Sequence, residues 1–145
     1  MWLRFVIYGL LGWGAEIVWT ALPKRRPIDL ALEGFTTLWA FPLYGSAVFL
    51  YEPLHDLLRP WPFIARGIVY AAGFIVVELV CHFLIAQVIG KRPWDYSGQT
   101  HWTIGGYTRL DYAPLWFLAG MLLEPMHDAL VRATPALSAA FLGKH

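Results

Sequence analysis

Charge is scarce in this chain. Only 14% of its 145 residues are Asp, Glu, Lys or Arg, where a soluble domain averages about 25%. The net charge is +1, so there is no electrostatic case for nucleic acid as a partner. Cys81 is the single cysteine, which excludes a disulfide within the chain. Phosphate-binding glycine loops are missing as well. Gly12-Trp13-Gly14 has no strand pattern before it and no P-loop Lys after it, so its glycines read as packing sites. No ATP-binding signature stands anywhere in the sequence.

What remains is apolar. The chain is 58% hydrophobic and holds eight tryptophans. A helix needs roughly 20 apolar residues to cross a bilayer, and four segments come close: Trp2 to Leu22, about Phe35 to Leu58 (or from Pro42), Gly67 to Ile89, and about Ala113 to Val131. These runs are too long for barrel strands and lack strict alternation. The expectation is all-α: an integral membrane four-helix bundle, in one transmembrane domain spanning 1–145. The first run is expected to be retained as a span, because "TALPKRR" follows it instead of a small-residue cleavage site.

Short linkers make sequential helices antiparallel neighbours. Trp94, Tyr96, Trp102, Tyr107, Tyr112 and Trp116 suit a membrane–water interface. Residues 29–41 are expected to lie along that surface or re-enter the membrane. Lys24-Arg25-Arg26 and Lys91-Arg92 abut span ends, which favours cytoplasmic linkers at 23–35 and 90–110. In "WDYSG" (94–98), Asp95 and Ser97 are placed to bond local backbone in a turn.

A motif occurs twice. Glu52-Pro53-Leu54-His55-Asp56 returns as Glu124-Pro125-Met126-His127-Asp128. Pro42-Leu43-Tyr44 precedes the first copy by the same count as Pro114-Leu115-Trp116 precedes the second, and Arg26-Pro27-Ile28-Asp29 matches Arg92-Pro93-Trp94-Asp95. Glu16 and Glu78 correspond in the other two runs. The chain therefore reads as two hairpins, repeat 1 over about 2–60 and repeat 2 over about 66–132. Their pseudo-two-fold axis is expected along the membrane normal, as in parallel transporter repeats.

Helical rise puts Glu16 ~10 Å, Glu52 ~15 Å, Glu78 ~18 Å and Glu124 ~15 Å from a membrane face. That is one central layer, with one glutamate per span. His55 and His127 each follow a glutamate by three positions and share its helix face. Glu on one helix and Glu-x-x-His on the next, twice, is the ligand set of di-iron and di-manganese carboxylate bundles. Glu16, Glu52, His55, Glu78, Glu124 and His127 are thus candidate ligands for two divalent ions, iron or manganese before zinc. His82 is a candidate extra ligand. Asp56 and Asp128 point about 100° from the adjacent histidine and are candidates only for a place behind the ligands. His101 and His145 are expected in solvent.

Two other readings of the doubled motif stay open: the wet end of a span with Asp and Arg59 in water, or a metal-free polar pathway for protons or ions. Three functions follow. The first is a di-metal enzyme acting on a lipid or other apolar substrate, by oxygen-dependent oxidation or by metal-assisted hydrolysis. The second is a small transporter or permease component. The third is a structural membrane protein associating with copies of itself or other membrane subunits.

"YGLLGWGAE", "LWAFPLYG", "KRPWDYSG" and "LDYAPLWF" occur in this order from about Ile7 to Glu124. Together they resemble the ABC-transporter type IV, or CmpB-like, family of small multi-span membrane proteins. The resemblance implies that topology, and its label implies transport. Glu16, Glu52, Glu78 and Glu124 fall at positions where the resemblance implies acids, whereas His55 and His127 depart from the animal members.

Overall fold

Helix α1 (Trp2–Ala21) ends where Leu22 turns to extended backbone, φ −62° and ψ 131°. The next residue is Pro23, and a residue before proline is pushed out of the helical region. The computed structural model describes residues 1–22 and 31–143, with the backbone alone at 141 and 142. The Lys24-Arg25-Arg26 cluster, the first member of the Arg-Pro-x-Asp match, most of linker 23–35, and His145 lie outside the described residues.

Five α-helices dominate among the described residues. After α1 come α2 (Ala40–Gly45) and α3 (Ala47–Leu58). One continuous span was expected here, but the chain breaks at Ser46, whose hydroxyl donates to the Leu43 carbonyl at 2.6 Å. Such a local bond competes with the helical ladder. Helix α4 (Phe63–Ile89) starts earlier than the expected Gly67 and stops at Gly90, which takes the left-handed conformation (φ 72°) that ends many helices. Helix α5 (Ala113–Leu142) has a proline in its first turn, runs well past the expected Val131 and contains Pro125 and Pro135. Pro53 likewise lies inside α3. Both Glu-Pro pairs are therefore mid-helix, neither starting nor ending one.

Among the described residues, α4 is the one helix long and apolar enough to cross a membrane. A small element of sheet was not expected. Strands β1 (Thr103–Ile104) and β2 (Thr108–Arg109) pair antiparallel, Thr103 opposite Arg109 and Ile104 opposite Thr108. Between them Gly105 and Gly106 both have positive φ, and the Tyr107 N–H closes the turn on the Ile104 carbonyl at 3.0 Å. Two consecutive positive φ values are the demand of a primed hairpin turn, which glycine meets without steric cost.

Contacts divide the chain into two units, Met1–Leu50 and Tyr51–His145. In the first, α1 packs on α2 through small residues. A side chain added at Gly9 would lie 2.7 Å from the Phe41 ring, and one at Gly12 2.2 Å from Tyr44. Gly12 thus sets the close approach expected of it, as does Gly9, whereas Gly14, also expected to pack, faces nothing within 4 Å. The Thr20 hydroxyl donates to the Phe35 carbonyl and accepts from its N–H, tying the chain before α2 onto α1.

In the second unit, α4 runs antiparallel to both of its partners. Against α5, Phe74 meets Trp116, the Tyr70 side chain meets Gly120, and Arg66 meets Glu124. Against α3, Phe74 meets Tyr51 and Tyr70 meets His55. Residues 51–58 of α3 therefore run parallel to α5. The Tyr51 hydroxyl on the Gly120 carbonyl and Arg59 on Asp128 are both 69 positions apart. A constant offset between two parallel helices brings the two copies of the repeated motif side by side.

Candidate functional site

The two copies meet reciprocally. His55 Nδ1 lies 3.6 Å from Glu124 Oε1 and its Nε2 3.7 Å from Asp128 Oδ1. His127 Nδ1 lies 3.5 Å from Glu52 Oε1 and its Nε2 3.7 Å from Asp56 Oδ1. Each histidine thus sits between the glutamate and the aspartate of the other copy. The two rings approach edge to face, centroids 4.9 Å apart. Both histidines are 3% exposed, and Glu52 is buried with them. The aspartates reach outward, with the Asp128 side chain 31% and that of Asp56 64% exposed. The motif is therefore buried at its glutamate and histidine and wet at its aspartate.

Helix α4 supplies the rest. Arg66 grips Glu124 with two parallel bonds, Nε to Oε1 at 2.7 Å and Nη2 to Oε2 at 2.9 Å. Its third nitrogen donates to the Trp61 carbonyl at 2.8 Å. The Tyr70 hydroxyl donates to Glu124 Oε1 at 2.9 Å and lies 3.1 Å from His55 Nδ1. Arg59, just past α3, is ion-paired with Asp128 and lies 3.6 Å from Asp56; these carboxylates hold its guanidinium pKa above the ordinary value, the Asp128 bond first. A cavity of about 180 Å³ opens between His55, Arg59, Arg66, Glu124 and Asp128.

Four of the six candidate ligands, Glu52, His55, Glu124 and His127, are gathered in this cluster. Glu78 is not. It lies eight positions beyond Tyr70 on α4, ~12 Å of helical rise, and accepts from the Tyr96 hydroxyl at 3.0 Å and from the Thr108 hydroxyl. The single glutamate layer expected across α3, α4 and α5 therefore does not form: Glu124 pairs with the first two turns of α4, and Glu78 with the linker beyond its last. Glu16 belongs to the other unit, beside Thr36 and Tyr44. His82 also faces the linker, its Nδ1 2.7 Å from the Tyr107 carbonyl and its ring 4.3 Å from that of Trp94. His101 is exposed, as expected.

Asp56 and Asp128 are placed differently from the expectation. Each points away from the histidine next to it in sequence, but toward the histidine of the other copy. The signal was present. Glu52 and Asp56, like Glu124 and Asp128, are four positions apart and so share a helix face. Arg66 and Tyr70, also four apart, were not expected.

The linker after α4 folds over Glu78. Asp95 Oδ1 accepts from the Ser97 N–H at 2.8 Å, the local backbone bond expected of it, and from Arg92 at 2.9 Å. The bonds from Ser97, then Arg92, pull the Asp95 carboxyl pKa down to about 2. Arg92 also stacks 4.6 Å over the Tyr107 ring.

Helical architecture, one apolar helix of membrane-crossing length and a buried histidine–carboxylate cluster define the class as a small helical protein built around an internal polar site. The chain belongs to the family described as Putative ABC-transporter type IV, which it matches over residues 3–142. No solved structure matches it.

Proposed function

We propose that this chain is a small multi-pass membrane transport component in which the two motifs form a shared proton- or cation-binding site. The reciprocal placement of His55 and His127 between the carboxylates of the opposite copy carries this reading. Each imidazole nitrogen lies 3.5–3.7 Å from a carboxylate oxygen of the opposite copy, so a proton or cation bound there would be shared between imidazole and carboxylate. The Arg59–Asp128 pair stands at the outer end and the Arg66–Glu124 pair behind it, lining a route for a cation to the buried ring nitrogens.

The membrane part of the proposal covers more than α4. Its spans are α1, α2 with α3, α4 and α5, arranged as two repeated hairpins. Support comes from the large apolar residues these helices expose, Leu10 and Val18 on α1, Val80 and Val88 on α4, and Leu118 and Leu122 on α5 among them. Large apolar side chains exposed on each of these spans suit a lipid surround. The basic 90–110 linker then faces the cytoplasm. The family label supports transport.

Two observations favour this over the di-metal enzyme acting on a lipid or apolar substrate. Glu124 already carries a bidentate guanidinium, and Glu78 accepts from two hydroxyls of the linker side. The test is cation flux into proteoliposomes. Wild-type chain should dissipate an imposed proton or cation gradient, and His55→Gln with His127→Gln should abolish that. Wild-type flux no greater than that of empty vesicles would overturn the reading.

A further inference from the structure

The tautomer of His55 follows from its neighbours. Glu124 is ionised against Arg66 and accepts the Tyr70 hydroxyl proton at 2.9 Å. A tyrosine has one proton to give, so toward His55 Nδ1, 3.1 Å away, its oxygen can only accept. A neutral His55 therefore carries its proton on Nδ1 and a lone pair on Nε2. That Nε2 is buried and has no hydrogen-bond partner among the described residues. Its acceptor-side neighbour, Asp128 Oδ1 at 3.7 Å, offers no proton. Two acceptor atoms face one another across this gap, Nε2 without a donor and Oδ1 holding Arg59, an arrangement that suits a shared cation.

We propose that one divalent transition-metal ion of the zinc class binds there, held by Nε2 of His55, Nε2 of His127 and a carboxylate oxygen of Asp128. Ligand atoms of these three residues all lie within 4.8 Å of one another, so a small closure brings them to a common ion at ~2.0–2.2 Å. Asp56, 3.7 Å from His127 Nε2, supplies the fourth ligand, a second carboxylate oxygen. The roles drawn from the sequence thereby exchange. The aspartates become ligands. Glu52 and Glu124, the latter through Tyr70, hold the far ring nitrogens, as carboxylates behind metal-bound histidines commonly do. Two imidazoles with carboxylate suit zinc, cobalt or copper over magnesium or calcium. Arg59 is the competitor: it occupies Asp128 and must release it for a metal to enter.

This inference rests on the same cluster as the transport reading and names the ion that it takes. The test uses the full chain purified in detergent, stripped with chelator and titrated with Co²⁺, whose visible spectrum reports tetrahedral N/O ligation, and with Zn²⁺ in competition. One equivalent should bind. His55→Ala and His127→Ala should each weaken binding by more than ~100-fold, and Tyr70→Phe by ~10–100-fold, the usual loss when a supporting partner is removed. Arg59→Ala should tighten it, a gain that a misfolded variant cannot give. Less than ~0.2 equivalents bound, or binding unmoved by both histidine variants, would overturn the metal site. Gradient dissipation measured with chelator present separates the two proposals. Flux without metal binding leaves the transport reading standing alone, and metal binding without any flux leaves the site without that reading.

Discussion

Arg66 holds Glu124 through two parallel hydrogen bonds of 2.7 and 2.9 Å, reaching 58 positions along the chain from the second turn of α4 to the middle of α5. The pair is largely buried, with side chains 19% and 15% exposed. A planar guanidinium matches a carboxylate in a way that an ammonium cannot.

The pair can be dissected by a double-mutant cycle. Arg66→Ala leaves the part-buried Glu124 without its cation and should destabilise the protein. Arg66→Lys should recover only part of this. Arg66→Ala combined with Glu124→Ala should be less damaging than Arg66→Ala alone, because the stranded charge is gone. Denaturant unfolding of the detergent-solubilised protein measures all three, and additive losses would show that the fork carries no coupling.

Glu78 gives a second prediction. Its acceptors bind Tyr96 and Thr108, from the linker and from β2, and so fasten residues 90–112 over α4. Glu78→Ala should release that linker, raising hydrogen exchange across 94–108 while leaving the His55 and His127 region protected. Each lost bond to a charged acceptor is worth about 1.5–3 kcal/mol. Glu78→Gln keeps one acceptor and should release the linker less. Equal exchange in wild type and Glu78→Ala would mean that the linker is held by its ring contacts alone.

The helices and the linker chemistry were largely legible in the sequence, and for a physical reason. Apolar runs locate the helices, though α4 and α5 extend past them and the second run breaks at Ser46, and Gly90 ends α4 by its own backbone conformation; the Gly105-Gly106 hairpin was not expected. The Glu78 attachment was not legible, because it joins residues 18 and 30 positions apart through side chains that each look like ordinary interfacial polar groups. The cluster was half legible. Repetition of the motif marked Glu52, His55, Glu124 and His127, whereas helical depth predicted a common layer that Glu78 does not join. Depth alone does not say which carboxylate faces which histidine. That depends on the parallel offset of α3 and α5, which is set by Tyr51 against Gly120 and by Arg59 against Asp128.

Glycines of α1 offer a controlled comparison. A methyl group at Gly12 would sit 2.2 Å from Tyr44 Cγ, inside any tolerable contact, whereas one at Gly14 would meet nothing within 4 Å. Gly12→Ala should therefore force α1 and α2 apart and cost about 1–3 kcal/mol. Gly14→Ala should be neutral or stabilise by up to about 1 kcal/mol, since alanine loses less backbone freedom in a helix. Thermal unfolding of the two variants side by side checks the sign of each. A Gly12→Ala protein as stable as Gly14→Ala would show that the α1–α2 approach is not fixed by Gly12.

Acid should loosen the 94–98 turn at an unusually low pH. The Ser97 N–H and hydroxyl, with Arg92 behind them, bring the Asp95 carboxyl to about 2, below the ~3.9 of an unfolded aspartate. A lowered folded-state pKa means that the unfolded chain binds the proton more readily. The stabilising contribution is therefore complete above about pH 4 and is lost as pH falls through about 2. An NMR titration of the Ser97 amide should show its midpoint near 2, and Asp95→Asn should remove the transition. A midpoint near 4 would mean that the bonds from Ser97 and Arg92 do not favour the ionised carboxylate. Exposure of the turn sets the scale: half of the Asp95 side chain is in solvent, so the effect should appear as local opening of residues 94–98, with the helices intact.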